Sequence, residues 1–280
     1  MRPAKISLPY FDILLEQLSL GEAGMQQAFG RHVHWGYWPN PAQANCSVED
    51  FAIASERLCQ RVYAAAGVKE NDRLLDAGCG FGGTIASLNE GFQNLHLTGL
   101  NIDPRQLTRA NQEVKPLANN QIAFVKGDAC QMPFLDASMD VVLAVECIFH
   151  FPSRVDFFRE ARRVLRPGGR LGISDFVAVP IFRPLRKLLA QFGGFMVAGT
   201  YGRVDSDFTL SDYQTLAKET GFHLTSQEDI TRNTLPTYPI VRQVFDRAGN
   251  PEAVRATAVA ELFSQIGLLR YLILSFSVKE

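Results

Sequence analysis

The sequence predicts an α/β fold, a doubly wound and mostly parallel seven-stranded sheet, and three observations predict it. From residue 72 to 177, short apolar runs alternate with helical patterns, the arrangement of βαβ units. The first of those runs enters a glycine-rich loop, LLDAGCGFGG at 74–83, which opens the next helix. The stretches 76–83, 101–103, 127–130 and 146–150 all fall just past strand ends, where sheets of this kind bind ligands.

The elements follow in order. Residues 10–20 show a helical pattern, then an aromatic cluster, HVHWGYWPNP, occupies 32–41. Residues 45–66 read as an amphipathic helix stopped by Gly67. Residues 73–77 form a strand, and a helix follows the glycines to about residue 89. After a strand at 95–101, Asp103 and Pro104 supply an N-cap and a first helical residue. Strands are expected at 122–125, 141–145 and 170–177, with a helix at about 155–165 closed by Pro167-Gly168-Gly169. Residues 180–207 lack strand periodicity and read as an inserted helical lid carrying Arg183, Arg186 and Lys187. A helix at 210–220 and strands at 222–230 and 269–278 complete the pattern. The organisation expected is an N-terminal helical arm and flap at 1–56 and one α/β domain at 57–280 containing the lid.

Composition narrows the functional classes. With 280 residues, 46% of them hydrophobic, the chain can bury one sizeable core. A formal net charge of -1 without a long basic run gives no footprint for nucleic acid. Five cysteines without C-x-x-C spacing read as free thiols in a reducing, cytoplasmic setting, with no disulfide framework and no metal site. No secretory h-region follows the first basic residues, and the apolar tail at 268–277 is too short for stable membrane insertion. Nothing in the chain sets an oligomeric state.

Gly78, Gly80 and Gly83 satisfy G-x-G-x-x-G, so a nicotinamide-dependent oxidoreductase is one reading of the loop. Asp76 argues against it. An acid beside the turn opposes a pyrophosphate at the helix N-terminus, and neither Lys nor Arg stands in the loop. A ligand that is cationic there, such as S-adenosylmethionine with its sulfonium and ammonium, suits the acid better.

Taken together and in order, LLDAGCGFGG, GLNIDP, GDACQMPF, DVVLAVE and VLRPGGRL resemble the successive motifs of class I S-adenosylmethionine-dependent methyltransferases, over about residues 57–177. HWGYW and ECIFHF resemble the small-molecule branch that includes tocopherol, sarcosine/dimethylglycine and natural-product sugar O-methyltransferases. The resemblance implies a Rossmann-like fold, S-adenosyl-L-methionine as cofactor and a small organic acceptor. It assigns Asp76, Gly78 and Gly80 to the methionine end of the cofactor, and Asp128 with Ala129 to the adenine. Asn101 stands where the family usually has an acid for the ribose hydroxyls, and an amide lacks the charge-assisted bond. His150 is either the base that deprotonates the acceptor or a residue that shapes its pocket. Glu146, Phe149, His34 and Trp38 are expected at that pocket. The cluster containing His34, Tyr37 and Trp38 reads as a flap over the sulfonium, with Tyr37 toward the cofactor, or as a seam that packs the arm down. O-methylation of a natural-product-like hydroxyl is the first expectation, N- or C-methylation the alternative. A non-catalytic module that kept the cofactor fold is a further one.

Overall fold

The computed structural model describes residues 9–21, 23–180 and 207–279. The expected lid and its three basic residues lie almost wholly outside them.

Two short helices, α1 (Pro9–Ser19) and α2 (Ala23–Phe29), precede the long α3 (Val48–Ala65), whose first turn is capped by Ser47. Then β1 (Arg73–Ala77), α4 (Gly83–Gly91), β2 (His96–Asn101), α5 (Pro104–Glu113) and β3 (Gln121–Lys126) alternate as expected. Asp103 caps α5 through Arg105 N, with Pro104 as its first residue. Next come β4 (Met139–Val145), a 3-10 turn at Ile148–His150, α6 (Arg154–Val164) and β5 (Leu165–Ala178).

Seven strands form one sheet in the order β3-β2-β1-β4-β5-β7-β6, where β6 is Phe222–Asp229 and β7 is Leu269–Val278. The first five are parallel, and β7 runs antiparallel between β5 and β6. The order reverses between β1 and β4, which opens a crevice at their carboxyl ends.

Alternation along β1 explains the two layers. Leu75 and Ala77 face a core with Phe157 and Phe158 of α6 and Tyr213 of α7 (Leu210–Thr220). Leu74 faces Leu58 of α3 and Ile85 and Leu88 of α4. Every residue of β4 is buried, as the central strand of a sheet covered on both faces must be. Each fully buried Leu or Val there contributes about 1.5–3 kcal/mol.

One expectation is corrected, and one connection gains elements that were not expected. Pro167-Gly168-Gly169 does not close α6, which ends at Val164; it lies in the irregular start of β5, where the register shifts between Met139–Leu165 and Val141–Arg170. The connection from β6 to β7 is helical, with α8 (Thr231–Thr234), α9 (Thr237–Arg247) and α10 (Pro251–Gln265), none of which the sequence reading placed.

Candidate active site

A cavity of about 790 Å³ opens at the carboxyl ends of β1, β2, β3 and β4. The turn after β1 forms its floor. Gly78 N and Cys79 N both donate to Leu100 O, at 2.8 and 3.0 Å, and so fasten the turn to the end of β2. Gly78 has φ 83°, and a Cβ there would stand 2.8 Å from Cys147 Sγ; Gly80 has φ 54°. Both conformations strain any branched residue.

Asp76 lies in the cavity wall, 2% exposed, and its Oδ2 has no hydrogen-bond partner. Burial pushes its pKa up to about 7. A cation placed beside it would return it to the ionised form. Asn101 also lines the cavity, with Nδ2 donating to Gln106 Oε1 at 2.9 Å and Oδ1 accepting from Asp103 N at 3.1 Å. One amide hydrogen and one lone pair remain for a ligand. Burial opposes ionisation of Asp103, but the hydrogen bonds from Arg105 hold its carboxyl below the usual range. Asp128 accepts from Cys130 N at 2.8 Å, and it lines the cavity with Ala129.

Past β4 stand Glu146 and His150, both in the cavity wall. Glu146 adopts φ 51°, a left-handed conformation that a non-glycine residue keeps only when its surroundings hold it. They do hold it. Its Oε2 accepts from Tyr271 OH at 2.5 Å and from Trp35 N at 3.0 Å, and its N donates to Ser174 Oγ at 3.0 Å. Burial raises the pKa to about 8, even against the Tyr271 and Trp35 bonds. His150 Nε2 stands 3.2 Å from Tyr10 OH, and the two rings stack at 5.8 Å.

Most of the aromatic cluster goes elsewhere. His34 lines the cavity, but Tyr37 and Trp38 do not. Tyr37 N donates to Ala54 O of α3, and its ring lies under the Arg61 guanidinium at 4.7 Å. Trp38 is 2% exposed, and its Nε1 donates to Asp50 Oδ2 at 2.9 Å. The arm has crossed onto α3 by residue 37, so its rings form the packing seam. Phe149 is likewise absent from the cavity wall, because its ring packs on Phe176 at 5.9 Å. Sequence reasoning missed Tyr10 and Phe11 of α1, Thr84 of α4 and Gln106 of α5, which all line the cavity. None belongs to a motif. It also missed Ser174 and Tyr271, which reach Glu146 from two distant strands.

Strand order and glycine turn define a crevice of the nucleotide-binding kind, and the buried acid beside the turn suits a cationic ligand better than a phosphate. Residues 75–173 match the family model described as a methyltransferase domain, and the chain belongs to the class I S-adenosylmethionine-dependent methyltransferases. Among its relatives is the 27-O-demethylrifamycin SV methyltransferase of Amycolatopsis mediterranei, 33% identical over 79% of this chain and 78% of that one. The methyltransferase GfsG of Streptomyces halstedii is 31% identical over 79% and 77%. In fold the chain is similar to the geranyl diphosphate C-methyltransferase from Streptomyces coelicolor A3(2) (TM-score 0.70, 16% identity, 97% and 99% covered). The enzyme uses S-adenosylmethionine to methylate a small molecule, and the orphaned Asp76 oxygen fits the cofactor's positive charge. The nicotinamide reading therefore falls. Among the described residues, no helix is long and apolar enough to cross a membrane.

Proposed function

We propose that the enzyme methylates a hydroxyl of a natural-product-like small molecule, with His150 as the base. The observation that carries this reading is that one cavity presents both Asp76 and His150, so that a cation-binding acid and a proton acceptor face the same space. Two relatives named as O-methyltransferases, cnsE of Penicillium expansum and resE of Aspergillus sclerotiorum, support it, at 26% and 29% identity.

When bound, S-adenosylmethionine supplies an electrophilic methyl group. Asp76, Gly78 and Gly80 hold its methionine end, Asn101 the ribose, and Asp128 with Ala129 the adenine. His150 Nε2, now facing the Tyr10 hydroxyl, takes the proton of the acceptor hydroxyl, which occupies the place of the Tyr10 hydroxyl. Glu146 and His34 line the acceptor's side of the cavity. The described part of the arm, residues 9–21 and 23–56, shuts the cavity, since Tyr10, Phe11, Val33 and His34 all line it. The acceptor is the one partner in this reading, with no nucleic acid, and the five free cysteines suit the cytoplasm.

Methyl transfer should be followed by S-adenosylhomocysteine release over matched panels of alcohols, phenols, amines and prenyl compounds. Turnover confined to amines or to carbon would overturn the assignment to oxygen.

A further inference from the structure

In the cavity wall and just behind it, three side chains converge, of which the methyl-transfer reading uses only His34, as a lining residue. His32 and His34 alternate along the extended arm, so both project to one side, and Cys59 faces them from α3. One ligand atom from each lies within 4.8 Å of the others, and all three residues are buried. We propose that His32, His34 and Cys59 form a binding site for one soft, nitrogen- and sulfur-seeking divalent cation of the zinc type, which clamps the arm to α3.

Hydrogen bonding fixes which nitrogen of each ring is available. His32 Nε2 stands 2.8 Å from Glu56 Oε2, an ionised acceptor, so Nε2 carries the proton. His34 Nδ1 stands 2.9 Å from the Trp35 carbonyl, which only accepts, so Nδ1 carries it. The lone pairs therefore sit on His32 Nδ1 and His34 Nε2. Both atoms are buried without a hydrogen-bond partner. Leaving such an atom unsatisfied is costly, so a pair aimed into one place calls for an occupant. A metal-ligating histidine ordinarily donates its second nitrogen to a carboxylate or a backbone carbonyl, and here one ring does each. The carboxylate is itself anchored, since Ser87 Oγ donates to Glu56 Oε1 at 2.5 Å and Arg31 Nε stands 3.1 Å from Oε2.

The lone pairs so placed belong to neutral rings, and the thiol keeps its proton, since Cys59 Sγ donates to Glu56 O at 3.1 Å. Binding therefore releases the thiol proton to solvent as the sulfur–metal bond forms, leaving a dication with one thiolate beside the Glu56 carboxylate. His32 and His34 both touch the cavity, which gives the ion a way in and leaves its fourth position open to water. At Gly83 a Cβ would stand 2.5 Å from His32 Nδ1, so the glycine keeps that nitrogen clear.

The test uses the full chain, stripped with a chelator and titrated with Zn²⁺ and, separately, Co²⁺. One zinc per chain is expected, together with a thiolate-to-cobalt charge-transfer band and a zinc-dependent rise in Tm. Cys59→Ser should abolish the band. His34→Gln should weaken zinc binding by about 100-fold or more, and Glu56→Gln, which removes only support for His32, by about 10–100-fold. Should a variant fail to fold, the wild-type cobalt spectrum decides alone. Absence of stoichiometric zinc, a cobalt spectrum without the thiolate band, or zinc binding unchanged in folded Cys59→Ser would each overturn the site. Because the readouts are metal content and spectra, failure here leaves the methyl-transfer reading untouched.

Discussion

Asp76 shows how much one residue can disclose and what it needs from its surroundings. Its place beside the glycine turn was legible because an acid there is a local signal, whereas its pKa of about 7 is set by burial alone. An ion pair with the cofactor requires the ionised form, which is complete above that pKa and lost as pH falls through it. Affinity for S-adenosylhomocysteine, measured calorimetrically, should therefore weaken on acidification from pH 8 to 6, and Asp76→Asn should bind weakly at every pH. An unchanged pH dependence in the Asn variant would remove Asp76 from the site. Gly80, at φ 54°, sets a second expectation: Gly80→Val should cost about 1–2 kcal/mol in backbone strain and depress cofactor binding, read by titration of the folded variant. His150 sets a third. If it is the base, His150→Phe should lower kcat by about 10²-fold or more with cofactor affinity nearly intact. A loss confined to acceptor KM would make it a pocket residue. Tyr37, Trp38 and Phe149 were misplaced because an aromatic ring in an arm or tight turn carries no periodicity to say which side it faces.

At the scale of elements, the site depends on how the ends of β4, β5 and β7 meet. Glu146 leaves β4 in a left-handed conformation, and its carboxyl is caught by Tyr271 of β7 while its N–H is caught by Ser174 of β5. Tyr271→Phe should remove the donor, destabilise the fold by about 1–3 kcal/mol in urea denaturation, and raise the Glu146 pKa further. Equal stability would show that the strained turn holds without it. The parallel strands and the Asp103-Pro104 helix start were legible because capping and alternation are local physics. Helices α9 and α10 were not. The first carries an apolar stripe, but Pro236 and Pro239 at its start read as a break, and the second mixes small alanines with exposed Val259 and Leu262 and writes no clean stripe.

Over the whole molecule, one buried cluster ties three elements together. Arg154 Nη2 of α6 donates to Asp175 Oδ2 of β5 at 2.8 Å, and Tyr213 OH of α7 donates to the same oxygen. Arg154→Met leaves that carboxyl buried without its cation and should cost about 3–5 kcal/mol, seen as a lower urea midpoint; Arg154→Met with Asp175→Leu should recover much of it. A midpoint equal to wild type would contradict the pairing. The seven-strand sheet, the turn after β1 and the acid beside it were legible in the chain alone, because hydrophobic period, capping and charge act between neighbours. Only the tertiary structure decided that the Trp38 ring is core, that Tyr10 faces His150, and that His32, His34 and Cys59 share one buried space. Those outcomes depend on which surfaces the arm and the sheet ends bring together, and burial across long sequence separations leaves no spacing for a sequence to show.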